Sequence, residues 1–254
     1  MPLRVTILGS GTIIPSNKRK AAGLLIETPE VSYLFDCGPG TLDTLERIGR
    51  SFGCIRIIFL THYHADHTLD IGRLLSVLNN EHFSGPRGDI TIAGPHGLSD
   101  FIDGWNRLYR STISKRAHID TMEIGSGRVR CDGAAGVAAV EVDHGNGSAL
   151  AYRVDNGGAS VVYTGDTSYT ESLVDFAGGA DLLIAECSFP DDHPVEGHMT
   201  PSDVARLASR SSVARVVLTH LYPVFGDSDP AGAASKGIAV PVSSAEDGMV
   251  IELQ

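Results

Sequence analysis

The segment Thr61-His62-Tyr63-His64-Ala65-Asp66-His67 carries three histidines and an aspartate within six residues, directly after the continuous apolar run Ile55–Leu60. Imidazoles and a carboxylate at that density are transition-metal ligands by type. Along extended chain, alternation points His62 and His64 the same way. The turn into a following helix brings Asp66 and His67 round to a neighbouring point, so one segment can feed two adjacent ions. The plainer alternative is a chance cluster of polar residues on a surface loop. A centre fed by one segment is incomplete, so its other ligands must come from lone His or Asp residues at later strand ends. Three fit: His144 after Val137–Val142, Asp166 after Ser160–Thr164, and His220 after Val213–Leu218. Each alone reads as a polar strand end; three repeating the geometry of the first motif favour a shared site.

The elements that position these residues follow from the hydrophobic pattern. Leu3–Leu8, Gly23–Glu27 and Val31–Phe35 read as short strands of an antiparallel meander, and Ile55–Leu60 as a buried strand. Thr41–Arg50 and Leu69–Leu78 have helical spacing. Further strands are expected at Asp89–Ala93, Val137–Val142, Ala149–Val154, Ser160–Thr164, Asp181–Ala185, Val213–Thr219 and Met249–Leu253, and helices at Tyr169–Phe176 and Ser202–Ser209, the last with Pro201 at its start. Many strands, with a helix after every second or third, predict an α/β (α+β) fold of two face-to-face sheets with helices outside. The length fits a single domain, 1–254. Pro223–Ser244, rich in Gly, Ala, Pro and Ser, is expected to be a long surface loop.

Composition excludes several classes. With 42% hydrophobic and 20% charged residues, Gly 29 and Pro 12, the chain is neither collagen-like, disordered nor a disulfide scaffold. Lys plus Arg number 20 against 31 for Asp plus Glu, a formal net charge of -11 that repels polyanions and anionic membranes. The basic clusters Lys18-Arg19-Lys20 and Lys115-Arg116 read as solvated loops. No run approaches the roughly 20 apolar residues of a membrane span, and MPLRVTILGSG is too short and glycine-interrupted for a signal-peptide core. A cytoplasmic protein with no membrane partner is expected. Cys37, Cys54, Cys131 and Cys187 lie far apart with no C-x-x-C pair, which gives no zinc ribbon. His82, His96 and His118 have no partner motif, His193 is placed near the mouth of the site, and Tyr163, Tyr222, Trp105 and Tyr109 read as core or rim aromatics.

The H-x-H-x-D-H packet followed by single His, Asp and His residues at strand ends resembles the metallo-β-lactamase superfamily. The resemblance implies an αββα four-layer sandwich with a two-metal site at one edge of the sheets. By it, His62, His64 and His144 hold a first metal, Asp66, His67 and His220 a second, and Asp166 bridges them. Nitrogen and carboxylate ligands suit two Zn2+, with Mn2+ or Fe2+ as substitutes. The motif's His64 stands where the superfamily's redox di-iron branch carries a glutamate, which favours hydrolysis. Two adjacent metals lower the pKa of a shared water toward neutrality and steady both oxygens of an in-line displacement, a clamp suited to a phosphodiester.

Further stretches resemble the ribonuclease Z branch: Leu8-Gly9-Ser10-Gly11 with Pro15-Ser16 and Arg19, and Phe35-Asp36-Cys37-Gly38-Pro39-Gly40, where Asp36 would orient a ligand histidine. Ala185-Glu186-Cys187-Ser188-Phe189 and Gly197-His198-Met199-Thr200 are similar to that branch's E-A-T-F and H-x-T stretches. The resemblance implies that Glu186 orients His198 and that His198 protonates the leaving oxygen; Asp66 is counted with them as catalytic. A positioned imidazolium is worth roughly a hundredfold in rate. Bacterial members of the branch carry a long basic arm that grips tRNA, inserted between the positions of His144 and Asp166; here 166 minus 144 leaves 22 residues. The expected substrate is therefore a small or short phosphodiester. The alternatives are a tRNA 3′ endonuclease, an ester or lactone hydrolase and, from a different class, a metal-free binding module of the same fold, against which the intact ligand set argues. A homodimer is the expected assembly.

Overall fold

The computed structural model describes residues 3–51, 53, 55–80, 82, 89–109, 119–129, 131, 135–145 and 147–254. Cys54, Lys115, Arg116 and His118 lie outside the described residues. The first sheet contains β1 (Leu3–Gly9), β2 (Gly23–Glu27), β3 (Ser32–Phe35), β4 (Ile55–Phe59), β5 (Ile90–Gly94), β6 (Ile119–Glu123) and β14 (Val250–Leu253), in the order β14-β1-β2-β3-β4-β5-β6. The second contains β7 (Gly127–Val129), β8 (Gly136–Val142), β9 (Ala149–Asn156), β10 (Ala159–Tyr163), β11 (Leu182–Glu186), β12 (Val216–Thr219) and β13 (Val242–Ser244), in the order β13-β12-β11-β10-β9-β8-β7.

Side-chain alternation along these strands sets the layering. Tyr33, Phe35, Ile57, Phe59, Val161, Tyr163, Leu182 and Ile184 share one core between the sheets. The residues between them point outward: Leu34 and Ile58 meet Leu42, Leu45, Ile71 and Leu74 of the helices α1 (Thr41–Arg47) and α2 (Ala65–Asn79). Val162 and Leu183 likewise meet Leu173 of α4 (Glu171–Ala177) and Val204 and Leu207 of α5 (Pro201–Ser211). Strands apolar on both faces are thus covered on both faces, which gives the four-layer αββα sandwich. Among the described residues no helix is long and apolar enough to cross a membrane.

The strand directions explain where a site can form. β1, β2 and β3 are antiparallel, but β3 and β4 are parallel, so the expected meander ends at β3, where α1 supplies the crossover. β10, β11 and β12 are also mutually parallel. Parallel strands end together, and the loops after their carboxyl ends gather at one edge. β9 and β10 form a hairpin with Asn156 opposite Ala159, closed by Gly157 and Gly158 at φ 60 and 93, the positive values that a tight two-residue turn demands. That hairpin occupies most of the interval between His144 and Asp166.

Several expectations are corrected. α2 begins at Ala65 rather than Leu69, which puts Asp66 and His67 in its first turn. The stretch 223–244 is not a bare loop: it holds a 3-10 turn at Pro223–Phe225, α6 (Pro230–Ala234) and β13. The helix α3 (Leu98–Tyr109) and the strands β6 and β7 were not expected. Arg19 is not a solvated loop residue, since it donates to Ser10 Oγ at 2.7 Å and to the Ala245 carbonyl.

Candidate metal centre

The packet after β4 enters the site in two conformations. His62 follows the strand, His64 sits extended at the N-cap of α2, and Asp66 and His67 lie in its first turn. His144 follows β8, Asp166 follows β10 and His220 follows β12. The donor atoms of His62, His64, His144 and Asp166 all lie within 4.8 Å of one another, as do those of Asp66, His67 and His220. All seven sequence-selected residues are therefore brought together at one edge. A third group, Asp166, His198 and His220, meets the same limit.

Outer hydrogen bonds fix how these side chains face. His67 Nδ1 donates to Asp36 Oδ2 at 2.7 Å, which turns Nε2 toward Asp166 Oδ1 at 3.3 Å. His144 Nδ1 donates to the Gly197 carbonyl at 2.8 Å, which turns Nε2 toward His64 Nδ1 at 3.1 Å. Gly197 has φ 84, and a Cβ there would come within 3.3 Å of His144 Nδ1, so only glycine brings its carbonyl this close. His220 Nδ1 meets Ser188 Oγ at 2.9 Å while Nε2 faces Asp66 Oδ2 at 3.2 Å. Asp36 and His220 themselves hold φ 57 and 54, a left-handed conformation unusual for side-chain-bearing residues and found here at the site.

Several buried polar atoms of the cluster are left without a hydrogen bond among the described residues: His62 Nε2, His67 Nε2 and Asp166 Oδ1. Burial, reinforced by the charge of His67, holds His62 well below the ordinary imidazole range. Burial also opposes a proton on His67, but Asp166 and Asp36 outweigh it and hold that ring well above its usual value. Asp166, though buried, is kept well below the usual carboxylate range by His220 and His67. Buried carboxylates and imidazoles with unsatisfied atoms aimed at one another fit metal ions, which satisfy both at once.

Beside this cluster, Glu186 Oε1 lies 2.9 Å from His198 Nδ1, and the His198 ring stacks on His220 at 5.7 Å. Burial lowers the proton affinity of His198, but its bond to Glu186 overcomes this and raises it above the usual value. Sequence reasoning missed Ser188, whose Oγ reaches Glu186, His198 and His220 together. It also missed Thr61 and the role of Tyr163, both of which donate to Asp36. Ser188 lies in the Glu186-Cys187-Ser188 stretch, which was the one available signal. His193 is exposed and pairs with Asp192 at 3.0 Å.

A family model described as a beta-lactamase superfamily domain matches residues 31–221, about three quarters of the chain and every candidate ligand. The chain belongs to the beta-lactamase superfamily. Relatives within the superfamily include the probable metallo-hydrolase YhfI of Bacillus subtilis, 30% identical with 89% of this chain and 90% of that protein covered. A ribonuclease Z of Methanosarcina acetivorans is 28% identical, with 99% of this chain and 98% of that protein covered. Among solved structures, B. subtilis YhfI superposes with a TM-score of 0.84 at 26% identity, covering 99% of each chain. The short form of human tRNase Z gives 0.80 at 28% identity, again covering 99% of each. This superfamily member is a metal-dependent hydrolase of the β-lactamase fold.

Proposed function

We propose that the chain is a dizinc phosphodiesterase acting on small or short phosphodiesters, with His62, His64 and His144 holding one ion, Asp66, His67 and His220 the other, and Asp166 shared. The observation that carries this reading is the set of buried atoms on His62, His67 and Asp166 that face one another without a hydrogen bond among the described residues, around which two donor groups assemble. Nitrogen and carboxylate donors without thiolate favour zinc over softer-site metals. Bound metal supplies an acidified water near neutral pH and positive charge for the attacked and departing oxygens.

The protein's own groups perform the remaining tasks. Asp36 keeps His67 turned toward Asp166, and the Gly197 carbonyl fixes the His144 tautomer. His198, its Nδ1 held by Glu186, keeps a proton on Nε2 and delivers it to the departing alkoxide. Ser188 ties this donor to the His220 ring.

A second reading, tRNA 3′ endonuclease, is favoured by the likeness to proteins named ribonuclease Z and to human tRNase Z. Against it stand the net charge of -11 and the tight β9-β10 hairpin in the interval where an RNA-gripping arm would be inserted. Zinc-loaded protein screened against bis(p-nitrophenyl) phosphate, cyclic nucleotides, precursor tRNA and lactones tests both. Turnover of the small phosphodiesters without accurate tRNA cleavage is expected. Lactone turnover alone, or accurate tRNA processing with the small esters untouched, overturns the reading.

A further inference from the structure

His96 is a histidine that the sequence pattern left without a role. It follows β5 in a loop pinned to the ligand segment, because Tyr63, between His62 and His64, donates its hydroxyl to the Pro95 carbonyl. The Tyr63 ring stacks on Phe101 of α3 at 4.8 Å, which holds this attachment from the other side. His96 consequently lines the same cavity of about 180 Å³ as His62, His64 and His144.

The imidazole is exposed but tethered. Its Nδ1 donates to Glu123 Oε2 at 2.9 Å, while Glu123 Oε1 accepts the backbone N–H groups of Gly97 and Ser99 at 3.1 and 3.2 Å. With both of its oxygens engaged, Glu123 is a fixed anchor, and among the described residues no hydrogen bond engages His96 Nε2. A second cavity of about 260 Å³ adjoins the first, and His96 and Ser148 line both. Its walls carry the carboxylates of Glu123 and Glu141 beside Pro95, Ile124 and Leu150.

That lining selects chemistry. Two carboxylates repel a second phosphate and accept hydrogen bonds from hydroxyls, and the apolar residues accommodate a ring or carbon chain. Neither cavity is lined by Glu186, His198 or His220, so the group held there is separate from the oxygen protonated by His198. We propose that His96, held by Glu123, binds the retained substituent of the phosphodiester, and that this substituent is an uncharged, hydroxyl-bearing group such as a sugar. The inference rests on the phosphodiesterase reading above.

The test compares p-nitrophenyl thymidine 5′-phosphate, whose retained group is a hydroxylated sugar, with bis(p-nitrophenyl) phosphate, whose retained group is not. In the zinc-loaded protein His96→Ala is expected to raise KM for the thymidine ester about tenfold, the scale of one lost hydrogen bond to an oriented group. It should change kcat and zinc content little, and leave bis(p-nitrophenyl) phosphate within about twofold, with His96→Gln recovering part of the loss. Equal effects on the two esters, or no effect on either, overturn the role of His96 while leaving the phosphodiesterase reading intact. Wild-type turnover of neither ester overturns that reading and the inference together.

Discussion

Asp36 Oδ2 accepts a 2.7 Å hydrogen bond from Nδ1 of His67, and both side chains are fully buried. The same carboxylate receives the Thr61 N–H at 2.8 Å and the Tyr163 hydroxyl at 2.8 Å, so it joins the first sheet, the second sheet and the metal cluster. Asp36→Ala would orphan these donors in a dry interior, where each unsatisfied group costs about 1–3 kcal/mol. The variant should unfold at lower denaturant concentration. Where it folds, zinc affinity measured by chelator competition should fall about 10- to 100-fold. Unchanged affinity in a folded variant would show that Asp36 does not orient His67 for metal.

On the proposed mechanism, the Glu186–His198 pair separates proton donation from metal binding. His198→Ala should keep its zinc yet slow esters with basic alkoxide leaving groups far more than esters releasing p-nitrophenolate, which needs little protonation. Glu186→Gln should show the same dependence in weaker form. Because His198 also falls in a donor group with Asp166 and His220, zinc loss in His198→Ala would assign it a ligand role instead.

Ser188 offers a finer test of the same network. Its hydroxyl touches Glu186, His198 and His220. Ser188→Ala should retain zinc and lower kcat on alkoxide-releasing esters by less than His198→Ala does. An effect larger than that of His198→Ala would make the His220 contact the dominant one.

Charge predicts how the chain meets RNA. With a net charge of -11, binding of precursor tRNA should be weak at physiological salt in a filter or gel-shift assay. Tight binding that weakens steeply as salt is raised would reveal a local basic surface and favour the endonuclease reading.

How much of this was legible in the sequence depended on the range of the signal. The His62 to His67 packet is local, and His144, Asp166 and His220 announce themselves as polar residues at the ends of apolar strands. The buried strands read clearly because both of their faces are apolar. The missed strands β6, β7 and β13 are all at sheet edges, half exposed and poor in apolar residues, so their pattern fades. α3 does carry helical spacing in Phe101, Ile102, Trp105 and Leu108, but Gly104 interrupts it and only Leu98 and Ile102 are buried. The contacts of Ser188 and His96 were illegible because they are made with partners distant in sequence: His220 lies 32 positions from Ser188 and Glu123 lies 27 from His96.

On the proposed reading, hydrolysis depends on two zinc ions held by the seven clustered residues. The direct measurement is bis(p-nitrophenyl) phosphate turnover as zinc is returned to chelator-stripped protein, with bound metal counted in the same samples. Activity should be absent from stripped protein, rise with added zinc and level off near two ions per chain, and His64→Ala should bind at least one ion fewer and lose most of the activity. Turnover that survives complete stripping, or a plateau with full metal binding in His64→Ala, would contradict the account.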